Sequence, residues 1–171
     1  DVLTGRVNPS GRLSDTIAQD ISDYSSTKNF GDGDCNQYTE DIYVGYRYFE
    51  TFARDKVKYP FGFGLSYTDF LVETADFSAE KEQASLCVRV TNTGKCAGQE
   101  VVQVYVSAPQ GALGKPARHL IRFAKTELLQ PGAAQTMTFY FSLREAASYD
   151  DSGVTGHKSC YVLEAGEYGI Y

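Results

Sequence analysis

The chain has 171 residues, of which 42% are hydrophobic, and it carries a formal net charge of −6 at neutral pH. This apolar content is enough for a substantial core, whereas the acidic balance argues against nucleic acid and anionic lipid, which attract clustered Lys and Arg. The apolar runs are far shorter than the roughly 20 residues that cross a bilayer, so neither a nucleic acid nor a membrane partner is expected.

The first forty residues show turn signals rather than periodic elements. Residues 1–5 could finish a helix with Gly5 as its C-terminal cap, and the Asn-Pro-Ser-Gly run at residues 8–11 indicates a turn. Apolar side chains are sparse between residues 14 and 40, and residues 31–34 are the most loop-like part. A structureless stretch of this length is unusual inside a compact domain, so we expect it to lie on a scaffold.

Residues 41–53 are rich in aromatic side chains. The rings belong to Tyr43, Tyr46, Tyr48, Phe49 and Phe52. Without a partner they would expose a large apolar surface. We therefore expect this segment to pack against protein outside the chain, and to cause self-association when that protein is absent.

Residues 59–67 mix rings with glycines and a proline, which is typical of a tight bend that buries aromatic side chains between two layers. We interpret this stretch as a domain junction. Its Gly62-Phe63-Gly64 run is not interpreted as a phosphate loop, because it follows no parallel strand, opens no helix and lacks the third glycine.

From residue 69 onward, short runs alternate between apolar and polar side chains, as expected for strands. In the three clearest runs, 86–91, 100–107 and 135–143, one face is apolar. Those inward faces comprise Leu86, Val88 and Val90, then Val102, Val104 and Val106, then Met137, Phe139, Phe141 and Leu143. The last run follows a turn at residues 130–132.

Weaker strand candidates are residues 70–77, 120–124, 160–163 and 168–171. Together the seven strands predict an immunoglobulin-like β-sandwich. A helical alternative is poor because β-branched and aromatic residues dominate and no 3,4-spaced apolar stripe is present. The last run is shorter than a typical strand, and the chain starts without a methionine or a signal peptide, so we expect both ends to be cut.

The cysteines and histidines offer little for metal or redox chemistry. The cysteines are Cys35, Cys87, Cys96 and Cys160. Their irregular spacing fits neither a zinc pattern nor a dense disulfide framework, so free thiols are expected. The two histidines, His119 and His157, lie far apart among polar neighbours and are expected at the surface. We expect no cofactor and no metal site.

Three runs in order carry a family resemblance: Asn-Pro-Ser-Gly-Arg-Leu at 8–13, Ile-Tyr-Val-Gly-Tyr-Arg-Tyr-Phe at 42–49, and Pro-Phe-Gly-Phe-Gly-Leu-Ser-Tyr-Thr at 60–68. They closely resemble glycoside hydrolase family 3, the β-glucosidase-like enzymes. The second half resembles that family's fibronectin type III-like domain through residues 90–94, 98–106, 128–132 and 164–168.

The resemblance implies a mainly β chain with two parts. Residues 1–67 would be the incomplete terminal segment of an α/β-sandwich domain, and residues 68–171 a fibronectin type III-like β-sandwich. Residues 15–24 and 29–31 are similar to a bacterial variant with reversed domain order, which implies a barrel after Tyr171. The compartment is left open, with the bacterial cytoplasm favoured over secretion.

In the family, an aspartate nucleophile lies in a TIM-like barrel and an acid/base glutamate lies upstream of the Asn-Pro-Ser-Gly run. Neither matches a position here, so the resemblance implies that the chain has no catalytic, cofactor-binding or metal-binding residues of its own and is inactive alone. Its partners would be the remaining catalytic domains of the parent enzyme, which would hydrolyse terminal β-D-glycosides and bind the glycoside substrate.

Retaining glycosidases need two carboxyl groups about 5 to 5.5 Å apart. The adjacent pairs Glu40-Asp41 and Asp150-Asp151 are poor candidates, since neighbours on a strand point to opposite faces and loop carboxylates are usually solvated. Arg47 could contact a carboxylate or a sugar, and we favour a buried or interfacial ion pair for it.

Three functions stay open. The first is a non-catalytic fragment of a β-glucosidase-like enzyme whose sandwich is a structural brace. The second is a carbohydrate-binding β-sandwich module, although such modules favour Trp and this chain has none beside 13 Tyr and 10 Phe. The third, an adhesive cell-surface domain, has only fold-level analogy in its favour.

Overall fold

A computed structural model describes residues 1–31 and 33–171. Asp32, within the loop predicted at residues 31–34, lies outside the described residues. The architecture is mainly β, as predicted, with two three-stranded antiparallel sheets and two small strand pairs in the described part of the chain. Over the same residues, every helix is too short or too polar to cross a bilayer.

The first 67 residues contain short elements. They are β1 (Ile17–Ala18), 3-10 helices at Ile21–Asp23 and Ser25–Lys28, helix α1 (Tyr46–Phe52), a 3-10 helix at Arg54–Lys56, and β2 (Val57–Tyr59). Strands β1 and β2 pair antiparallel. None of these elements was predicted, because each is too short to show a periodic pattern.

Helix α1 has its own small core. Phe49 is only 1% exposed and lies with Ala18 and Ala53. Tyr24 meets the Phe49 ring edge to face, with centroids 5.4 Å apart, a preferred geometry for aromatic pairs. Ala18 and Tyr24, from the stretch at residues 14–40 that we expected to lie on a scaffold, therefore pack around one buried ring of this chain.

The sandwich strands follow. They are β3 (Phe70–Glu80), β4 (Gln83–Asn92), β5 (Val101–Ser107), β6 (His119–Lys125), β7 (Ala134–Ser142), β8 (Ser148–Asp150), β9 (Cys160–Val162) and β10 (Gly169–Ile170). One sheet has the order β3-β4-β7 and the other β10-β5-β6. All seven predicted strands are present, and β8 was missed.

The core lies between the two sheets. From one sheet it takes alternate residues of β4 and β7, and from the other alternate residues of β5. Its buried members are Ala84, Leu86, Val88, Val90, Val102, Val104, Leu129, Phe139 and Phe141. This is the alternation predicted from the sequence, which follows from the two-residue period of a strand.

The predicted end of β7 was wrong by one residue. Leu143 opens a 3-10 helix, Leu143–Ala146, instead of ending the strand. Ser142 caps that helix, because its Oγ accepts a hydrogen bond from Arg144 N, while Glu145 bonds back to Ser142 N. This reciprocal pair is a capping box, and its signature within residues 142–145 could have been recognised from sequence.

Strand β3 is an edge strand of its sheet. After Phe70, all its residues are exposed. The pairing of β3 with β4 shifts register between Thr74 and Asp76, as a β-bulge does. The alternation of this strand is weak because so little of it is covered.

Two turn predictions had different outcomes. Gly5 adopts φ 73°, and hydrogen bonds run from Gly5 N to Val2 O and from Arg6 N to Asp1 O, which is the Schellman pattern of a helix end. In contrast, residues 8–11 form no turn. The Asn8 side chain, whose turn-forming tendency gave the prediction, instead bonds to distant loops.

Candidate functional site

The terminal segment, residues 1–67, lies against the sandwich through a polar interface. Arg12 and Glu100 form a bidentate ion pair across it, with an Nε to Oε1 distance of 3.1 Å. Their side chains are 17% and 14% exposed. Because Glu100 also accepts a hydrogen bond from Val101 N at 2.8 Å, the carboxylate is fixed at the start of β5.

Asn8 joins three loops at the same interface. Its Nδ2 donates to Ala97 O at 3.0 Å, and its Oδ1 accepts from Tyr67 N at 2.9 Å and from Ser66 Oγ at 3.1 Å. One amide side chain thus uses donors and acceptor together, and it holds the predicted junction against the sandwich.

Asn92, at the end of β4, is fully buried. Its Nδ2 donates to Cys96 O and Leu129 O at 2.8 and 2.9 Å. Its Oδ1 accepts from Thr68 Oγ1 at 2.7 Å and from Gly94 N at 3.1 Å. All four hydrogen-bonding positions of this amide are used, which fixes the start of β3 relative to the following loops.

A second ion pair connects α1 with the residues before β6. Arg118 donates from Nε and Nη2 to the Glu50 carboxylate, and its guanidinium lies 4.8 Å from the Tyr105 ring centroid. Burial raises the pKa of Tyr105 to about 12, despite the opposing effect of Arg118. Such stacking and bidentate pairing are the geometry that Arg allows and Lys does not.

Tyr105 shows where the aromatic segment packs. It lies on the face of β5 opposite the sandwich core, yet is only 7% exposed. Tyr46 covers it, with ring centroids 6.0 Å apart, and stacks on Phe61 at 4.7 Å. The Tyr46 hydroxyl also accepts a hydrogen bond from Leu120 N at 2.8 Å.

The expectation that this segment packs only against protein outside the chain was therefore wrong for these rings, whose partner lies about sixty residues further along. Other apolar side chains of this segment and of the junction at residues 59–67 remain exposed. They include Val44 at 61%, Phe52 at 61%, Leu65 at 70% and Tyr67 at 49%.

The glycines of the junction permit close approach of backbones rather than phosphate binding. A Cβ on Gly64 would overlap the carbonyl oxygen of Gly11, and one on Gly62 would overlap the Gln103 side chain. Gly62 also has φ 80°, a conformation that L side chains rarely adopt.

A buried ion pair connects the loop between β5 and β6 with the residues that follow β9. Lys115 bonds to Glu164 and also donates to Pro109 O at 2.9 Å. Glu164 accepts from Ala112 N as well, at 2.6 Å. The Lys115 hydrogen bond, with these backbone bonds, lowers the pKa of Glu164.

The two acidic pairs have different environments. Asp150 is buried and accepts hydrogen bonds from Thr155 Oγ1 and N, Gly153 N and Ser152 Oγ. These bonds, that of the Thr155 hydroxyl first, lower the pKa of Asp150. Asp150 is thus committed to holding the loop between β8 and β9.

Asp41 and Asp151 are exposed and line one open groove of about 670 Å³. One carboxylate from each of the adjacent pairs Glu40-Asp41 and Asp150-Asp151 therefore lines the same groove. Glu40 is half-buried and does not line that groove.

Arg47 also lines this groove and is half-buried. Its guanidinium makes no hydrogen bond or salt bridge with any residue in ranges 1–31 and 33–171, so the buried or interfacial ion pair that we favoured for it has no partner among these residues and stays a prediction. Glu50, one turn further along α1, pairs with Arg118 instead.

His119 is half-buried rather than at the surface, because it lies at the start of β6 beside the groove. Burial lowers the pKa of His119, and the nearby positive charge of Arg47 acts in the same direction. His157 is exposed. The structure does not bring the two histidines together in one site.

The four cysteines are free thiols in the structure, with Cys87 half-buried and the others exposed. In the part of the chain that the structure describes, no three His, Cys, Asp or Glu side chains are grouped so as to hold a metal ion. The interfacial ion pairs were missed from sequence, since nothing local to Arg12 or Glu50 indicates partners 88 and 68 residues away.

These observations describe a mainly β chain in which residues 1–67 are held against a β-sandwich by ion pairs and aromatic contacts. Two family models match the chain: the glycosyl hydrolase family 3 C-terminal domain over residues 1–67 and the fibronectin type III-like domain over residues 100–171. The chain belongs to glycoside hydrolase family 3. The exact junction predicted between residues 67 and 68 stays a prediction.

The similar proteins are β-glucosidases. The β-glucosidase of Ruminococcus albus is 52% identical over 170 residues, which cover 99% of this chain and 18% of that protein. β-Glucosidase A of Butyrivibrio fibrisolvens is 52% identical over 190 residues, covering 99% of this chain and 22% of that protein.

Solved structures agree. A β-glucosidase from Paenibacillus barengoltzii has a TM-score of 0.96 at 58% identity and covers 99% of this chain and 19% of its own. β-Glucosidase 3B from Thermotoga neapolitana, in complex with α-D-glucose, has a TM-score of 0.88 at 42% identity, covering 99% and 23%. The chain thus spans about a fifth of the length of these relatives and matches the C-terminal region of family 3 β-glucosidases.

Proposed function

We propose that this chain is a non-catalytic part of a β-glucosidase-like enzyme, in which the sandwich is a structural brace for the terminal segment of the α/β domain. The parent would hydrolyse terminal β-D-glycosides by a retaining mechanism with two carboxylates. The observation that carries the proposal is the interface of ion pairs, Arg12 with Glu100 and Arg118 with Glu50, around the covered Tyr105 ring.

The carboxyl groups support a non-catalytic role. A glycosidase needs a general acid whose pKa is raised, so that the group is protonated near neutral pH. Among the described residues, each carboxyl group with a resolved pKa shift has a lowered pKa. They are Asp20, Glu145, Asp150 and Glu164. Each is held ionised by hydrogen bonds, which suits structural anchoring.

The exposed apolar side chains of the terminal segment support an assembly with the remaining catalytic domains. Val44, Phe52 and Leu65 are each more than half exposed, and exposed patches of this kind mark interaction surfaces. The same surface would cause self-association of the isolated chain, which light scattering over a concentration series would detect.

The first experiment measures turnover of an aryl β-glucoside by the purified chain. We expect a rate equal to that of buffer. Turnover that co-elutes with the chain on gel filtration would refute the non-catalytic assignment, whatever the brace experiment shows.

The second experiment tests the brace by double-mutant cycles followed by thermal denaturation. The Arg12→Ala and Glu100→Gln pair should show a coupling of about 1–3 kcal/mol, within the range for contacting residues in one network. The matched control is the ion pair of Arg144 with Glu82, whose side chains are 74% and 62% exposed. Its coupling should stay below about 1 kcal/mol.

Equal coupling in the two cycles would contradict the brace, because the interfacial pair would then stabilise no more than a solvated one. A second readout is limited proteolysis: Arg12→Ala should speed cleavage within residues 1–67, whereas Arg144→Ala should not.

A further inference from the structure

An open groove lies between the β8–β9 hairpin, the start of α1 and the loop that precedes β6. Its volume is about 670 Å³, within the roughly 300–1,000 Å³ typical of small-molecule sites. The interface ion pairs described above do not line it, so the groove plays no part in the proposed brace.

Two exposed tyrosine rings line this groove. Tyr149 of β8 and Tyr161 of β9 are direct cross-strand partners, and their rings meet edge to face, with centroids 5.2 Å apart and planes inclined at 64°. They are 51% and 76% exposed, so neither ring is used by the sandwich core. Ring faces carry partial negative charge and can receive the C–H groups of a pyranose ring.

The loop that joins the two tyrosine strands is held by hydrogen bonds. Asp150, the buried last residue of β8, accepts them at its side chain from residues 152–155. Its backbone oxygen accepts a hydrogen bond from Ser159 N at 2.6 Å. A rigid aromatic surface loses little conformational freedom on binding, which favours affinity.

Three charged side chains line the groove without partners. Within residues 1–31 and 33–171, Asp41, Arg47 and Asp151 make no side-chain hydrogen bond or salt bridge, although all three line it. Exposed carboxylates are commonly solvated, so Arg47 carries the argument: the residue is half-buried, and the five donors of its guanidinium have no partner among the described residues.

The other charged groups of the groove are already paired. Lys115 bonds to Glu164, and Glu145 bonds to Arg122. The unpaired set thus contains both signs of charge together with aromatic rings, which suits a neutral polyhydroxylated ligand better than an anion.

We propose that this groove binds a neutral gluco-oligosaccharide, with sugar rings on Tyr149 and Tyr161 and hydroxyl groups bonded to Arg47, Asp41 and Asp151. The choice of a glucose-based ligand rests on the proposed function, in which the parent acts on β-glucosides. The site would hold a distal part of the substrate and does no chemistry.

The experiment is calorimetric titration of the 171-residue chain with cellotetraose, supported by saturation-transfer NMR. We expect saturable binding with a Kd on the order of 1 mM, equivalent to about −4 kcal/mol. Tyr161→Ala should weaken binding at least about tenfold, because aromatic anchors carry most of the energy in such sites. Arg47→Gln should weaken it about fivefold or more, by loss of the charged donors.

The matched control is Tyr140→Ala. Tyr140 is 69% exposed on β7 and does not line the groove, so its removal should leave the Kd unchanged. Circular dichroism melts confirm that each variant is folded; Tyr161 is exposed enough for its truncation to be tolerated.

Absence of saturable binding by the folded wild-type chain would overturn the proposal, as would equal affinities of wild type, Tyr161→Ala and Arg47→Gln. Either result would leave the non-catalytic brace intact. Conversely, turnover of an aryl glucoside by the chain would refute its proposed lack of catalytic activity and would leave the conclusion about groove binding unchanged.

Discussion

Replacing Asn92 by alanine should destabilise the chain strongly, although the residue does not line the groove. The substitution removes four hydrogen bonds at once. The Thr68 hydroxyl, whose bond to Asn92 is buried, would lose its partner where water cannot easily replace it, whereas the Leu129 carbonyl would lose the Asn92 bond but keep the one from Gly98 N at 3.0 Å.

The magnitude follows from these losses. A buried donor or acceptor left unsatisfied, here the Thr68 hydroxyl, costs about 1–3 kcal/mol. The lost bonds to Leu129 O, Cys96 O and Gly94 N add about 0.5–1.5 kcal/mol each, so we expect a fall of about 3–5 kcal/mol in the free energy of unfolding. For a chain of this size, that corresponds to a Tm lower by roughly 6–20 °C.

The assay is urea and thermal unfolding followed by far-ultraviolet circular dichroism. Thr93→Ala is the matched control, since Thr93 is the next residue and its hydroxyl makes only an exposed bond to Asp69 O at 3.2 Å. The control should lose less than about 1 kcal/mol. If Asn92→Ala is equally mild, the buried amide does not stabilise this end of the sandwich, and the reasoning fails.

Two further predictions concern the junction and the β8–β9 loop. Gly64→Ala should lower the free energy of unfolding by about 1–3 kcal/mol through overpacking, because its new Cβ meets the Gly11 backbone. The control is Gly11→Ala, whose Cβ meets nothing within 4 Å and whose stability should be within about 1 kcal/mol of wild type. Equal melting curves for the two variants would contradict this prediction. Because the pKa of Asp150 is lowered on folding, its stabilising effect is complete above the usual aspartate pKa of about 3.9 and is lost as the pH falls toward the folded value. Asp150→Asn should therefore flatten the loss of stability below pH 4 in acid titrations, and an unchanged slope would show that its hydrogen bonds do not favour the ionised form.

The strands that could be predicted from the sequence are those with one covered face. In β4 and β7, alternate positions contact the opposite sheet while their neighbours contact solvent, so the sequence there alternates largely between apolar and polar residues. Strand β8 has only three residues, and helix α1 has seven. Neither is long enough to show a period. Strand β8 depends on its pairing with β9, and α1 depends on the packing of Phe49 against Ala18 and Tyr24.

The interface was hidden for the same reason. Tyr46 and Tyr105 each look like an ordinary aromatic residue in their own segment, and only the fold brings their rings together. Arg47 has no ion-pair partner among the described residues, since the nearby Glu50 pairs with Arg118. Charge and burial could be anticipated for these side chains, but the choice among partners depends on long-range geometry.

The edge strand β3 affects how copies of the chain can associate. A long strand with one unpaired side is a template onto which another molecule could add its own strand. The irregular pairing between Thr74 and Asp76 twists this edge. Negative charge also lies along it, on Glu73, Asp76 and Glu80. Two such edges would repel each other, so fibre-like growth through the sheet is disfavoured.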